Sequence, residues 1–255
     1  MNFADLKPAY DRDGYAVVRQ LLPKDQFAEL TQNLDRYIRD VVPNLPPTDA
    51  FYDVDKSRPE SLKQLHRMNQ DAFFEAYRRQ PVWTALAEAL VGEAVEAADP
   101  EWFNKPPLSQ KGTPPHQDNF YFSLKPCHVV TIWMALDVVD EENACVRYVP
   151  GSHLQPTRPH ATSGVLGFSQ VITDYGPDDV AREVPIRLQP GDVMAHHGNL
   201  IHLAGPNRSA TRNRRAFAMV FKGVSCRRDE EAFARYRASV EAQQAAMSAR
   251  AVPCQ

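Results

Sequence analysis

His116 and Asp118 stand two residues apart in the stretch PPHQDNFYF, and His202 lies far downstream in HLAGPN. Two imidazoles and one carboxylate can hold a divalent iron on one triangular face and leave the opposite face open for substrate and oxygen. On a strand, alternate side chains share a face, so the spacing predicts that His116 and Asp118 project together while Gln117 points away. The third ligand must then come from another strand. Such a site needs a neutral imidazole nitrogen from each histidine and an ionised carboxylate. His196 and His197 compete with His202 for the third position, and an HxD pair is also the pattern of two ordinary surface residues.

Arg214 comes twelve residues after His202 and opens the apolar run RRAFAMVF. If that strand lies beside the one ending at His202, a guanidinium reaches the same interior. Arginine grips a planar carboxylate through two parallel hydrogen bonds. Iron together with an arginine anchor is the logic of an oxygenase that consumes 2-oxoglutarate. The competing reading is a surface arginine, since Arg208, Arg212 and Arg215 surround it. Strand alternation sets Arg214 and Arg215 on opposite faces, so only one of them faces in.

The elements that must position these residues are legible in outline. Pro23 is read as the first residue of a helix carrying Phe27, Leu30, Leu34 and Ile38 at helical spacing. Asn44 to Pro59 reads as irregular. Asp71 is placed to cap a short helix through Phe74 and Tyr77. Pro81 opens another helix, with Val82, Leu86 and Leu90 on one face and Gly92 ending it. After Gly92, short β-rich runs recur near Glu101–Asn104, His116–Phe122, His128–Asp137, Cys145–Val149, Val184–Leu188, Val193–His197 and Arg215–Phe221. Turn signals such as PPLSQKG, PGS and QPGD separate them, which favours a sandwich or closed barrel. His153 to Arg182 shows little periodicity and reads as a lid, a binding loop or a solvated connection. A final helix runs from Asp229 to about Ser248, with Phe233, Tyr236 and Val240 placed to pack on the β core. The expected organisation is one domain over 1–255, with a helical flank over about 1–92, a β core over about 93–223 and a helix over about 229–248.

With 29 basic and 32 acidic residues among 255, the net charge of −3 gives no reason to expect nucleic acid. No apolar run is long enough to cross a bilayer. The stretch MNFADLKPAYDRDGYAVV lacks the pattern of a secretion signal. Cys127, Cys145, Cys226 and Cys254 are scattered without a CxxC pair, so reduced thiols and a cytoplasmic setting are expected.

HQDNFYFSLKP, TIWMALDVVDEENACVRYVPGSH and GDVMAHHGNLIHLAGPNRSATRNRRAF, with FNKPP and DGYAVVRQLL upstream, strongly resemble the phytanoyl-CoA dioxygenase family. The resemblance spans nearly the whole chain. It implies a mainly β fold with flanking helices, a double-stranded β-helix of jelly-roll, cupin-like type. It also implies Fe(2+) on His116, Asp118 and His202, with His197 matching a family histidine that is usually not a ligand. The cosubstrates would be 2-oxoglutarate and O2, with Arg214 anchoring 2-oxoglutarate and Trp133 lining its pocket. No catalytic residue beyond the iron ligands is implied. A family serine two residues after the distal histidine is Ala204 here, so Thr131, or one of Lys63, Gln64 and His66, is expected to replace it.

The implied reaction is hydroxylation of an unactivated C–H with release of succinate and CO2. Asp118 bears on this outcome, because related halogenases lack that carboxylate. Desaturation and demethylation begin with the same hydrogen abstraction. Two rivals from other classes are a zinc hydrolase on the same three residues and a non-catalytic cupin-like metal-binding protein. The expected partner is a small-molecule substrate, with no membrane or nucleic acid, in a monomer or weak homo-oligomer. Arg158, His160, Arg208, Arg212 and Arg215 either gather at the barrel mouth, which would suit a small anionic metabolite, or lie on a solvated loop, the reading given more weight.

Overall fold

A computed structural model describes residues 2–165 and 168–251 of the 255. Its strands, in chain order, begin with β1 (Tyr15–Val18), β2 (Ala50–Tyr52), β3 (Leu62–Leu65), β4 (Val95–Ala97), β5 (Glu101–Lys105) and β6 (Thr113–His116). They continue with β7 (Leu124–Lys125), β8 (Val129–Ala135), β9 (Val146–Tyr148), β10 (His160–Val165), β11 (Phe168–Ile172) and β12 (Val184–Pro185). The last are β13 (Val193–His197), β14 (His202–Ala204), β15 (Arg214–Gly223) and β16 (Arg227–Arg228). A large antiparallel sheet has the order β1-β13-β8-β15-β5-β3-β2, with β4 also on β15, and a smaller sheet has the order β12-β9-β14-β6. The two sheets face one another across the site in a jelly-roll arrangement without closing into a continuous barrel.

The helices are α1 (Lys7–Asp13), α2 (Lys24–Asp40), α3 (Ala72–Tyr77), α4 (Pro81–Val91), α5 (Asp118–Phe122), α6 (Pro177–Val180) and α7 (Glu230–Ala251). Pro23 is the residue before α2 rather than its first, because its extended backbone (ψ 151°) lies outside the helix. Asp71 caps α3 as expected, accepting the Phe73 N–H at 3.0 Å. Gly92 ends α4 at φ +89°, a conformation in which a Cβ is strained.

The period of two along β8 and β15 divides the core. Val130, Ile132 and Met134, with Phe217, Met219 and Phe221, face the helices and pack with Leu30, Leu34, Tyr37, Phe74, Trp83 and Leu86. The alternate residues Trp133, Ala135, Ala216 and Ala218 face inward against Cys145, Val146 and Tyr148 of the small sheet. A strand covered on both faces reads as a continuous apolar run, which is why VVTIWMA carries no polar alternation. Burying one large side chain such as Phe217 contributes about 1.5–3 kcal/mol, and β8 and β15 are packed on both faces beneath the site.

Three expectations about the elements are corrected. The run His116–Phe122 is not one strand: β6 ends at His116 and α5 begins at Asp118. β15 does not lie beside β14, since the two belong to opposite sheets. His153–Arg182 is not an irregular loop, because it contains the β10–β11 hairpin and α6. Cys127, Cys145 and Cys226 are free thiols, and Cys254 lies outside the described residues. Among the described residues no helix is long and apolar enough to cross a membrane.

Candidate metal and cosubstrate site

His116 and His202 are direct cross-strand partners on β6 and β14, and their ring centroids lie 4.1 Å apart. Gln117 keeps an extended backbone (φ −124°, ψ 126°) and Asp118 starts α5, which turns the Asp118 carboxylate toward both rings. Its Oδ1 lies 3.6 Å from His116 Nε2 and 3.5 Å from His202 Nε2. One ligand atom from each of these three residues lies within 4.8 Å of the others, as in no other such group among the described residues. The ligands therefore converge through a strand-to-helix turn rather than through strand alternation.

Backbone carbonyls orient both rings. His116 Nδ1 lies 2.8 Å from the Pro114 carbonyl and His202 Nδ1 lies 3.0 Å from the Leu200 carbonyl. Donation from Nδ1–H to those oxygens leaves the Nε2 lone pairs directed at the centre, the usual arrangement for a histidine that ligates a metal. Burial pushes His202 well below the usual imidazole range, with the nearby His116 acting in the same direction. Burial opposes ionisation of Asp118 too, but His202, His116 and His196 outweigh it and hold the carboxyl well below its usual range. Neutral imidazole and ionised carboxylate are the states that ligation requires.

His196, a competitor for the third position, has both ring nitrogens engaged. Its Nε2 lies 3.1 Å from Asp118 Oδ2, and the Tyr148 hydroxyl lies 2.9 Å from its Nδ1. His197 points elsewhere and packs against Tyr10 and His153. Thr131 donates to Asp118 Oδ2 at 2.7 Å. It lines the cavity, but its hydroxyl is spent on orienting the carboxylate.

A cavity of about 600 Å³ opens over this centre between the sheets. Arg214 and Trp133 line it, with the Arg214 guanidinium 5.4 Å from the Trp133 ring centre. Arg214 is buried, its Nε has no hydrogen-bond partner, and no ion pair to it occurs among the described residues. Burial brings its guanidinium down to about 10. Arg215 faces the other way, onto Asp137 at 2.7 Å, so the two arginines lie on opposite faces as strand alternation predicts, and Arg214 is the inward one. Gly112 is fixed by close approach, since a Cβ there would come within 2.8 Å of the Ala204 carbonyl.

Two charged cavity residues of β5 escaped the sequence reading. Glu101 and Lys105 share the cavity face of β5 with Phe103, and Lys105 stands directly opposite Arg214 in the ladder with β15. Burial brings the Lys105 ammonium down to about 7, with Arg214 acting in the same direction. Their spacing within EWFNK was a strand signal that could have found them. Lys63, Gln64 and His66 also line the cavity. An arginine cluster at the mouth does not form. Arg158 pairs with Asp174 and Asp179, and Arg212 with Asp140 and Glu142. His160 stacks on Phe120 at 4.1 Å. The charges of Arg158 and Arg212 are spent on neighbouring acids, and neither they nor His160 lines the cavity. The final helix does reach the site, bringing Tyr236 and Val240 to the cavity wall.

A family model described as phytanoyl-CoA dioxygenase matches residues 10–216. The peroxisomal phytanoyl-CoA dioxygenase of Rattus norvegicus is 29% identical over 216 residues, covering 78% of this chain and 62% of the rat protein. That of Bos taurus is 27% identical over 231 residues, covering 85% of this chain and 67% of its own length. The chain thus spans less than two-thirds of the rat relative. Among solved structures, EvdO2 from Micromonospora carbonacea var. aurantiaca, complexed with 2-oxoglutarate, superposes with a TM-score of 0.68 at 25% identity, over 86% of this chain and 90% of that one. The epimerase SnoN, in complex with Fe3+, alpha ketoglutarate and nogalamycin RO, gives 0.69 at 23% identity, over 87% and 84%. EctD from S. alaskensis, with 2-oxoglutarate and 5-hydroxyectoine, gives 0.70 at 18%, over 87% and 76%. The last two share the fold with this chain.

Proposed function

We propose, from the premise that this chain belongs to the phytanoyl-CoA dioxygenase family, that it is an Fe(II)- and 2-oxoglutarate-dependent hydroxylase of a small molecule, with residues 1–255 acting as one oxygenase unit. The observation that carries this reading is Arg214: a buried guanidinium with no acidic partner among the described residues, in the same cavity as a His-Asp-His donor set. An unpaired buried cation is costly, and a ligand carboxylate relieves it. Two imidazoles and a carboxylate suit iron(II). Zinc accepts the same donors, and turnover of 2-oxoglutarate to succinate separates an oxygenase from a zinc hydrolase on these residues.

His116, Asp118 and His202 would hold the iron, and Arg214 would hold the distal carboxylate of 2-oxoglutarate with Lys105 beside it. Like charges set opposite one another on a ladder destabilise it, and an anion shared by the two relieves that repulsion. The Lys105 ammonium donates to the Lys111 carbonyl at 3.0 Å and keeps two further N–H donors, so it is a better substitute for the serine absent at Ala204 than Thr131, whose single hydroxyl proton already serves Asp118. Trp133 forms one wall. Iron(II) with 2-oxoglutarate and O2 supplies the oxidising power, with succinate and CO2 released. The protein's part is to orient the carboxylate ligand, seat the cosubstrate and exclude bulk water between the sheets.

The test is anaerobic titration with Fe(II) and 2-oxoglutarate, followed by succinate assay in air. A visible charge-transfer band, succinate release and products heavier by one oxygen atom are expected. Products of unchanged mass would replace hydroxylation by an epimerase-type outcome. Fe(II) affinity that survives Ala at both His116 and Asp118 would overturn the site.

A further inference from the structure

The cavity holds groups of both charges. Lys63, Lys105, Lys111 and Arg214 line it, with Asp53 3.6 Å from Lys63, and Asp99, Glu101 and the liganding Asp118 line it too. Arg214 and Lys105 are committed to the cosubstrate in the reading above. What remains for the substrate includes the opposite end of β5. Glu101 and Lys105 share a face four residues apart, which is roughly 13 Å of strand at about 3.3 Å per residue.

Glu101 has no lysine or arginine partner among the described residues; its nearest basic atom is His66 Nδ1, at 3.8 Å. That is too long for a hydrogen bond. His66 follows β3, and extending the β3–β5 register, where Leu65 faces Trp102, sets it against Glu101. Its Nε2 is buried without a partner, and its ring packs on Phe51 with centroids 5.0 Å apart. Burial lowers the imidazole, so the ring is neutral and offers a lone pair. A carboxyl group and a neutral imidazole thus face the same space without a hydrogen bond between them, and the carboxyl, which holds its proton in the empty site, releases it to solvent when a cation enters. Ala218 stands opposite Glu101 on β15, and its small side chain leaves that space open. Asp99 and Asp118 make the surrounding field negative, which favours a cation over a neutral donor. Phe103, Tyr121, Phe122, Tyr236 and Val240 supply apolar walls nearby.

Resting on the oxygenase reading, we propose that Glu101 and His66 form the recognition subsite for a protonated amine, so that the substrate is an organic ammonium compound with an apolar body. The ammonium donates to a Glu101 carboxylate oxygen and to an imidazole nitrogen of His66, and the apolar body lies along Phe103 and the tyrosines. This places a cation where a cluster of mouth arginines would have suited an anion.

The probes are 2-phenylethylammonium, 2-phenylethanol and phenylacetate, which share one aromatic body. Each is titrated by calorimetry into the metal-free protein and into the protein loaded with Fe(II) and 2-oxoglutarate under nitrogen. The ammonium is expected to bind at least about tenfold more tightly than phenylacetate, a free-energy difference of about 1.4 kcal/mol. Glu101→Gln should shrink that preference to about twofold, while Glu101→Asp keeps part of it. If Glu101→Gln does not fold, His66→Phe should still lower the ammonium affinity. Equal or tighter binding of phenylacetate overturns the proposal, as does a preference that survives both substitutions. A wild-type protein that shows no charge-transfer band and no succinate, yet keeps the ammonium preference, overturns the oxygenase reading and leaves the subsite standing.

Discussion

Lys105 and Arg214 face each other directly across the β5–β15 ladder, both buried, and neither makes an ion pair with an acid among the described residues. Strand pairs normally avoid like charges in this position. The arrangement is costly in the empty protein and favourable once a carboxylate sits between the two, so binding and stability trade against each other here.

Replacing Arg214 by Met should therefore have opposite effects on the two. A bond from a charged donor to a carboxylate contributes about 1.5–3 kcal/mol, so 2-oxoglutarate affinity should fall roughly 10- to 100-fold. The melting temperature without ligand should stay level or rise, because a buried unpaired charge is removed. Calorimetric titration and thermal melts of the same preparation check both. A marked loss of stability without loss of affinity would make Arg214 structural.

Thr131→Val removes the hydroxyl that orients Asp118. Partners behind a metal ligand typically contribute 10- to 100-fold in metal affinity, and a loss within about that range is expected in Fe(II) or Co(II) titration. Thr131→Ser should recover most of it. If Thr131 instead held 2-oxoglutarate, Val would raise the apparent KM for 2-oxoglutarate and leave metal affinity unchanged.

Neutralising Arg158 or Arg212 should leave substrate and cosubstrate KM within about twofold of wild type. Both guanidiniums are committed to carboxylates outside the cavity. Pairs near the surface contribute about 0.2–1 kcal/mol, so a small drop in melting temperature is the only change expected. A large rise in KM would restore these residues to substrate binding.

The cavity carboxyl and ammonium should leave opposite marks on stability against pH in the metal-free protein. Burial pushes the Glu101 carboxyl up to about 8, with Asp118 and Asp99 acting in the same direction. The folded protein then holds a proton that the unfolded chain releases near pH ~4.3, so this group's contribution falls as pH rises from about 4 to 8. Glu101→Gln removes that fall, and its melting temperature relative to wild type should climb across the window. For Lys105, brought down to about 7 by burial and then by Arg214, the unfolded chain holds the proton up to about pH 10.4. Its contribution rises from about pH 7 to 10, so the advantage of Lys105→Met should be greatest near neutrality and shrink as pH rises. Parallel trends in the two variants would contradict these assignments.

Local periodicity and short motifs specified the capping by Asp71 and that only one of Arg214 and Arg215 faces in, because periodicity is set by the geometry of the backbone. The donor set, the choice of Arg214 and the jelly-roll class came from the resemblance of longer stretches to a family. Tertiary structure alone decided that Asp118 reaches its place from the first turn of α5, that Arg214 looks at His202 from the opposite sheet, and that Lys105 and Glu101 share one cavity face. Pairing between strands distant in sequence determines which charges meet an acid and which are left in a cavity, and local sequence carries no record of that partner. Arg158 and Arg212 were indistinguishable from Arg214 as letters; only the fold gave the first two their acids and left the third without one among the described residues.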